Sequence, residues 1–320
     1  MKTLTRTEVC DFLQAHDRFS ILTHCRPDGD TVGSAAALCL GLRQLGKTAH
    51  VLRNPEITEK YAPFHREISK DAPAEGDTLI CVDVAAKHML PQVFSHLADR
   101  LSLRIDHHAT GAPFTPLSFV DGNAAACGQL IYDILMDMGI TLDVPIANAL
   151  YTAVSTDTGC FRYANTQPHS FQVAAACAEV SPDLFRLNQQ FFDTNSLARL
   201  RLQGWLIDNA RFSCGGKCVV CALPLSVEQE MGLTEDDMEN ISGFPRSIEG
   251  VCLAATLRQQ PDGIVKLSVR AVPGYDAGVI CQKFGGGGHA GAAGASLDMP
   301  LEQAAQTVAQ ALTEAMETKG

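Results

Sequence analysis

Short apolar runs punctuate the first half of the chain at residues 19–23, 48–52, 78–83, 101–106 and 117–120. Each is short enough for a strand of a mostly parallel sheet. Helical patterns separate them at residues 34–45, closed by Gly46, and at 124–138, ended by Gly139. A third runs over 143–156, where Pro145 fits the first turn. Residues 1 to about 18 suggest a short N-terminal helix. This alternation predicts an α/β fold: a doubly wound, mostly parallel sheet with helices on both faces. Leu184, Leu187, Phe191 and Phe192 then recur at helical spacing, as in connecting helices that bury one stripe. A new pattern begins near Ala210. It reads as a hairpin (210–214 with 217–223), two strands (251–257 and 264–272) joined by a turn at Pro261-Asp262-Gly263, a helix over 276–284, a glycine run and a last helix over 301–316. The expected layout is a first domain over 1–185, a helical linker over 186–209 and a smaller α/β domain over 210–320.

Chemistry concentrates at the ends of the apolar runs. His24, Asp28 and Asp30 fall within seven residues between the first run and the first helix, where Pro27 and Gly29 help the carboxylates turn toward one place. Asp83 ends the third run. Asp106 ends the fourth and is followed at once by His107 and His108, while Asp157 lies just past a helical run. Parallel strands present their C-terminal ends on one edge, so these groups can converge. Each acid alone could be a helix cap or turn residue, with Asp30 capping and His24 merely polar. Four such positions together favour a metal site, because crowded carboxylates repel and a divalent cation removes the repulsion.

A chain of 320 residues, 46% hydrophobic, can bury two cores. Its net charge of −11 argues against long duplex nucleic acid as a partner, yet allows a short anionic substrate beside bound cations. No apolar run approaches the roughly 18 residues of a membrane span, and no secretory pattern opens the chain. Twelve cysteines without framework spacing suggest reduced thiols, so a cytoplasmic protein without membrane contact is expected. Cys214, Cys218 and Cys221 lie close together, but Cys218 and Cys221 are three apart on one strand and face opposite sides, which argues against a metal or redox site. The segment from Phe284 to Gly294 reads as an anion cradle. Gly286, Gly287 and Gly288 would offer backbone N–H groups, a following helix N-terminus its dipole, and His289 a hydrogen bond to substrate. The plainer reading is a flexible linker.

Taken together, these residues resemble the DHH phosphoesterase superfamily. His24-x-x-x-Asp28-x-Asp30, Asp83, Asp106-His107-His108 and Asp157 in Ser-Thr-Asp-Thr-Gly match its four ordered motifs, and residues 285–294 resemble the glycine motif of its associated C-terminal domain. Size and the run Thr158 to Tyr163 most resemble the nanoRNase/pAp phosphatase (NrnA type) branch. That resemblance implies an enzyme cutting very short oligonucleotides to mononucleotides and removing the 3′-phosphate of adenosine 3′,5′-bisphosphate (pAp). It also implies two divalent ions: one on His24, Asp28 and Asp83, the other on Asp30, Asp83, His107 and Asp157, with Asp83 bridging. Such ligands suit Mn²⁺, allow Co²⁺ or Fe²⁺, and are more than Mg²⁺ usually takes.

Asp83 and His108 would be the catalytic pair, His108 touching a phosphate oxygen or donating a proton, with Asp106 orienting a histidine. Arg162 and Arg270 are candidates for bidentate phosphate contacts, whereas Arg258 reads as a solvated strand residue. The second domain would hold the terminal nucleotide. Gln129 stands where an acid is expected in many relatives. Rival readings are a cyclic- or linear-dinucleotide phosphodiesterase, a manganese pyrophosphatase lacking that group's basic C-terminal motif, a RecJ-type nuclease and, from another class, a nucleotide-binding regulator with an inactive site. The fully occupied metal positions argue against the last. The sequence is compatible with a homodimer.

Overall fold

Strands form where the apolar runs place them, in a computed structural model that describes residues 1–108 and 113–318. Contacts divide the chain into two units, Met1–Thr194 and Asn195–Gly320. In the first, β1 (Lys2–Thr3), β2 (Arg18–Leu22), β3 (Thr48–Leu52), β4 (Ser69–Lys70), β5 (Thr78–Val82), β6 (Leu101–Asp106) and β7 (Leu117–Val120) form one sheet in the order β1-β7-β6-β5-β2-β3-β4. Every pairing is parallel, so the C-terminal ends of β2, β5 and β6 share an edge. The helices are α1 (Arg6–Ala15), α2 (Gly29–Gln44), α3 (Ala62–His65), α4 (Cys127–Asp137), α5 (Val144–Asp157), α6 (Pro168–Val180) and α7 (Leu184–Asn188).

The N-terminal stretch is a short strand before the expected helix. Lys2 and Thr3 pair with Leu117 and Ser118, and Thr5 then caps α1 through a reciprocal bond with Glu8. One face of the sheet buries Phe19, Ile21, Val51, Ile80, Val82, Leu103 and Ile105 beneath the α-helices. The other face, with Leu22, Leu52, Leu79 and Cys81, is closed by 3₁₀ turns at Lys87–Met89 and Gln92–Arg100 rather than by α-helices.

Helix α2 begins a full turn earlier than its apolar pattern suggests. Asp28, not Asp30, is the N-cap, and its carboxylate accepts the Asp30 and Thr31 amides at 3.1 Å. Asp30 is thereby carried into the first turn. Small residues let α2 lie unusually close to α5: a Cβ on Gly33 would sit 2.3 Å from the Ala149 carbonyl oxygen.

The second unit contains α8 (Leu197–Asp208), β8 (Arg211–Ser213), β9 (Cys218–Leu223), α9 (Leu225–Glu230), α10 (Glu235–Met238), β10 (Leu253–Gln259), β11 (Val265–Ala271), α11 (Ala277–Gln282), β12 (Gly287–His289), β13 (Ala292–Leu297) and α12 (Leu301–Glu317). Its sheet runs β12-β13-β11-β10-β9-β8, with β9–β10 parallel and the other pairs antiparallel. Cys218 packs with Val308 and Leu312 of α12, while Cys221 packs with Leu202 and Leu206 of α8 on the opposite face, as strand alternation requires.

The glycine segment departs from the expected cradle. No helix follows it directly: residues 287–289 pair antiparallel with 292–294 as a hairpin, and α12 starts only after β13. Close approach explains the glycines. A Cβ on Gly286 would meet the Gly294 carbonyl oxygen at 2.1 Å, and one on Gly288 would meet Ala293 Cα at 2.6 Å. Among the described residues, no helix is long and apolar enough to cross a membrane.

Candidate metal centre

Four backbone segments of the first unit meet at the sheet edge. The loop leaving β2 supplies His24 and Asp28, and the first turn of α2 supplies Asp30. Asp83 follows β5 in a left-handed conformation, φ 57°, uncommon for a residue with a side chain. His107 and His108 follow β6. Asp157 comes from the last turn of α5 rather than from a strand.

Asp83 is the junction. It is 2% exposed, and its two oxygens face different partners. Oδ2 lies 3.5 Å from His24 Nε2, which is also 3.5 Å from Asp28 Oδ1. Oδ1 lies 3.5 Å from His107 Nε2, which is 3.7 Å from Asp30 Oδ2 and 3.8 Å from Asp157 Oδ2. Ligand atoms fall within 4.8 Å of one another in three groups: His24 with Asp28 and Asp83, Asp30 with His107 and Asp157, and Asp83 with His107 and His108.

Both inner imidazoles are aimed by backbone carbonyls. His24 Nδ1 bonds the Cys25 oxygen at 2.7 Å and His107 Nδ1 the Ala124 oxygen at 3.2 Å. Those carbonyls accept, so Nδ1 carries the proton and each Nε2 turns its lone pair toward the acids, the arrangement of a metal-ligating histidine. His108 differs. Its Nδ1 donates to Asp106 Oδ1 at 2.8 Å, leaving Nε2 unengaged.

Asp30 is gripped by the start of α4: its carboxylate accepts the Cys127 and Gly128 amides at 2.6 and 2.9 Å, and Ser34 donates to it at 3.0 Å. Sequence reasoning missed Ser34, although a hydroxyl four residues after Asp30 in one helix faces it. Gln129, the departure from an expected acid, accepts the Ala125 amide through Oε1 at 2.6 Å, so the neutral amide fills an acceptor's place.

The electrostatics are those of a site awaiting cations. Burial, then the charges of Asp83, Asp157 and Asp28, pushes the Asp30 carboxyl well above the usual carboxylate range. Burial and the Asp28 and Asp83 charges do the same to Asp157. Burial would lower His24, but Asp28 and Asp83 outweigh it and hold the imidazole well above its ordinary value. The bond to Asp106, opposed by burial, raises His108 to about 9. Asp83 Oδ1 is buried with no hydrogen-bond partner. An orphaned carboxylate oxygen among crowded acids and pre-aimed imidazoles fits divalent metal.

The other singled-out residues lie apart from this centre. Arg162 sits in the tight loop after Asp157; its Nε donates to the Gly159 oxygen at 2.7 Å, its guanidinium lies 6.0 Å from the Phe192 ring, and no ion pair joins it to the acids among the described residues. In the second unit Arg270 and His289 both stand opposite Ala292 in register, so they share a face of that sheet. Gly286, Gly287 and Gly288 run along the edge beside them. Arg258 is not a solvated strand residue: it is ion-paired with Glu228 at 2.6 Å and Glu235 at 3.0 Å.

Comparison with known proteins agrees with this geometry. Residues 18–154 match the DHH family, N-terminal domain, and residues 215–318 the DHHA1 domain. A protein of Thermus thermophilus named bifunctional oligoribonuclease and PAP phosphatase NrnA is 34% identical over 94% of this chain and 90% of its own length. One of the same name from Bacillus subtilis is 25% identical over 91% and 93%. Among solved structures, an exopolyphosphatase-related protein from Bacteroides fragilis superposes with a TM-score of 0.86 at 23% identity, covering 97% of this chain and 95% of that one.

Proposed function

This chain belongs to the DHH family, and we propose that it is a two-metal hydrolase that cuts very short oligoribonucleotides to mononucleotides and removes the 3′-phosphate of pAp. The observation carrying the proposal is Asp83, one carboxylate with each oxygen turned to a separate imidazole-and-carboxylate set. The names of the Thermus and Bacillus relatives support the substrate choice. Relatives named bifunctional oligoribonuclease and PAP phosphatase are matched along nearly their whole length, which favours these substrates over a cyclic dinucleotide.

In this reading His24, Asp28 and Asp83 hold one ion, and Asp30, Asp83, His107 and Asp157 hold the other. Mixed imidazole and carboxylate donors favour Mn²⁺. Bound divalent cations supply Lewis acidity toward the phosphoryl oxygens and make water a better nucleophile. The chain does the rest. Asp106 fixes the His108 ring so that Nε2 can give a proton to the leaving oxygen or bond a phosphate oxygen. Arg162 retains its Nη pair for a phosphate after committing Nε. In the second unit Arg270, His289 and the glycine hairpin receive the terminal nucleotide.

The test is product analysis with pAp, a 5′-phosphorylated diribonucleotide and pyrophosphate side by side in Mn²⁺. AMP and phosphate from the first, mononucleotides from the second and an intact third are expected; turnover of pyrophosphate alone overturns the proposal. Asp83→Asn removes a charge shared by both ion positions and should lower kcat at least ~10³-fold, about 4 kcal/mol of barrier, with an unchanged circular dichroism spectrum.

A further inference from the structure

Along β6, Ser102, Arg104 and Asp106 alternate with Leu103 and Ile105, so a cation and an acid occupy one face of a central strand. Arg104 is 3% exposed and Asp106 fully buried. A guanidinium in such a place needs compensation, and it has three kinds. Its Nη2 lies 2.9 Å from Asp106 Oδ2, its Nη1 donates to the Ala85 oxygen at 3.2 Å, and its plane stands 5.6 Å from the Phe114 ring centroid. Asp106 thus divides its carboxylate. Oδ2 faces Arg104, while Oδ1 accepts the His108 amide at 3.2 Å and His108 Nδ1 at 2.8 Å. Ala85 lies two residues beyond Asp83, on the turn that delivers that carboxylate to the centre.

We propose that Arg104 is a positioning residue for the hydrolysis: it anchors the Asp106 carboxylate that sets the His108 ring, and it ties down the turn carrying Asp83. The assignment rests on the reading of His108 given above. A lone buried carboxylate would take up a proton or draw in water, and either change loosens its hold on Nδ1. The guanidinium removes that freedom and, through Ala85, locks the two strand ends bearing Asp83 and His107-His108 to each other. Arg suits this task because its planar fork serves a carboxylate and a carbonyl at once, which an ammonium does less well.

The experiment compares wild type, Arg104→Met and Arg104→Lys. In Arg104→Met, kcat for pAp should fall 10- to 100-fold with KM within about threefold. In the metal-free protein, the downfield resonance of the hydrogen-bonded His108 Nδ1 proton should be lost or move upfield. Arg104→Lys should keep that proton signal and recover part of kcat. A folded Arg104→Met with wild-type kcat and an unmoved His108 signal would reduce Arg104 to a purely structural cation and overturn the proposal. Should the Met variant not fold, Arg104→Gln, which keeps a donor without the charge, is judged by the same two readouts. If wild type fails to hydrolyse pAp, the functional reading falls, and the His108 signal in the metal-free variants still decides whether Arg104 holds the ring.

Discussion

Among the single side chains of the centre, Asp157 is the acid least compensated by the protein itself. Asp30 is held by three hydrogen-bond donors, whereas the Asp157 carboxylate has none among the described residues and is 30% exposed. Its proton affinity is raised by burial and by the Asp28 and Asp83 charges, so above that raised value its ionised form costs the folded state free energy. Asp157→Asn should therefore stabilise the metal-free protein at pH 8 by about 0.5–2 kcal/mol and abolish most activity. Urea titrations in chelator and in excess Mn²⁺ check this: the variant should be the more stable in chelator and lose that advantage in metal. A variant weaker in both conditions would show that the acid is not paying a repulsion cost. The acids themselves were legible because a carboxylate ending an apolar run has few structural reasons to be there. What aims the histidines was not legible, because His24 and His107 are oriented by the carbonyls of Cys25 and Ala124, and every residue has a carbonyl.

Between elements, the crossing of α2 and α5 controls the spacing of Asp30 and Asp157, one on each helix. A methyl on Gly33 would press on the Ala149 oxygen at 2.3 Å and the Ala153 nitrogen at 2.9 Å, both backbone, so the helices themselves must part. Gly33→Ala should cost about 1–3 kcal/mol in urea unfolding and reduce kcat, since separating the helices pulls the two acids apart. Equal stability would mean the helices give at no cost. Gly288→Ala makes the matching test in the second unit. With φ at 144° and Ala293 Cα 2.6 Å away, it should disrupt the β12–β13 hairpin and raise KM for a dinucleotide while leaving kcat nearly intact. Unchanged KM would detach the hairpin from substrate binding. The glycine run was misread as a cradle before a helix because glycine serves close approach to an anion and to a neighbouring strand equally well. The alanines at 292, 293 and 295, small residues on the facing strand, are the signal for the second use. Strands β1 and β4, two residues each, are too short for periodicity to register.

For the molecule as a whole, the class of fold was readable from βα alternation, but the strand order was not, since local pattern does not say which strand inserts beside which. Burial of His65 is another outcome that only the assembled fold reveals. It ends the single-turn helix α3, is 4% exposed, and bonds the Val32 carbonyl of α2 through Nε2 at 3.0 Å, leaving Nδ1 buried without a partner. Burial outweighs that bond and lowers the imidazole from 6.5 to about 4. The unfolded chain therefore binds this proton more readily than the folded one. The contribution of neutral His65 is complete above pH 6.5 and is lost as the pH falls from there toward 4, amounting to roughly 3 kcal/mol. The acid cluster changes stability over part of the same range with the opposite sign, as Asp30 and Asp157 take up protons in the folded state, so the total curve alone does not isolate His65. His65→Gln does, because the amide can still donate to Val32 but cannot titrate, and the cluster is common to both proteins. The stability of wild type minus that of His65→Gln, measured by urea unfolding in chelator, should fall by up to roughly 3 kcal/mol between pH 7 and pH 4. A difference that does not change with pH would mean that His65 takes up its proton in the folded chain as easily as in the unfolded one.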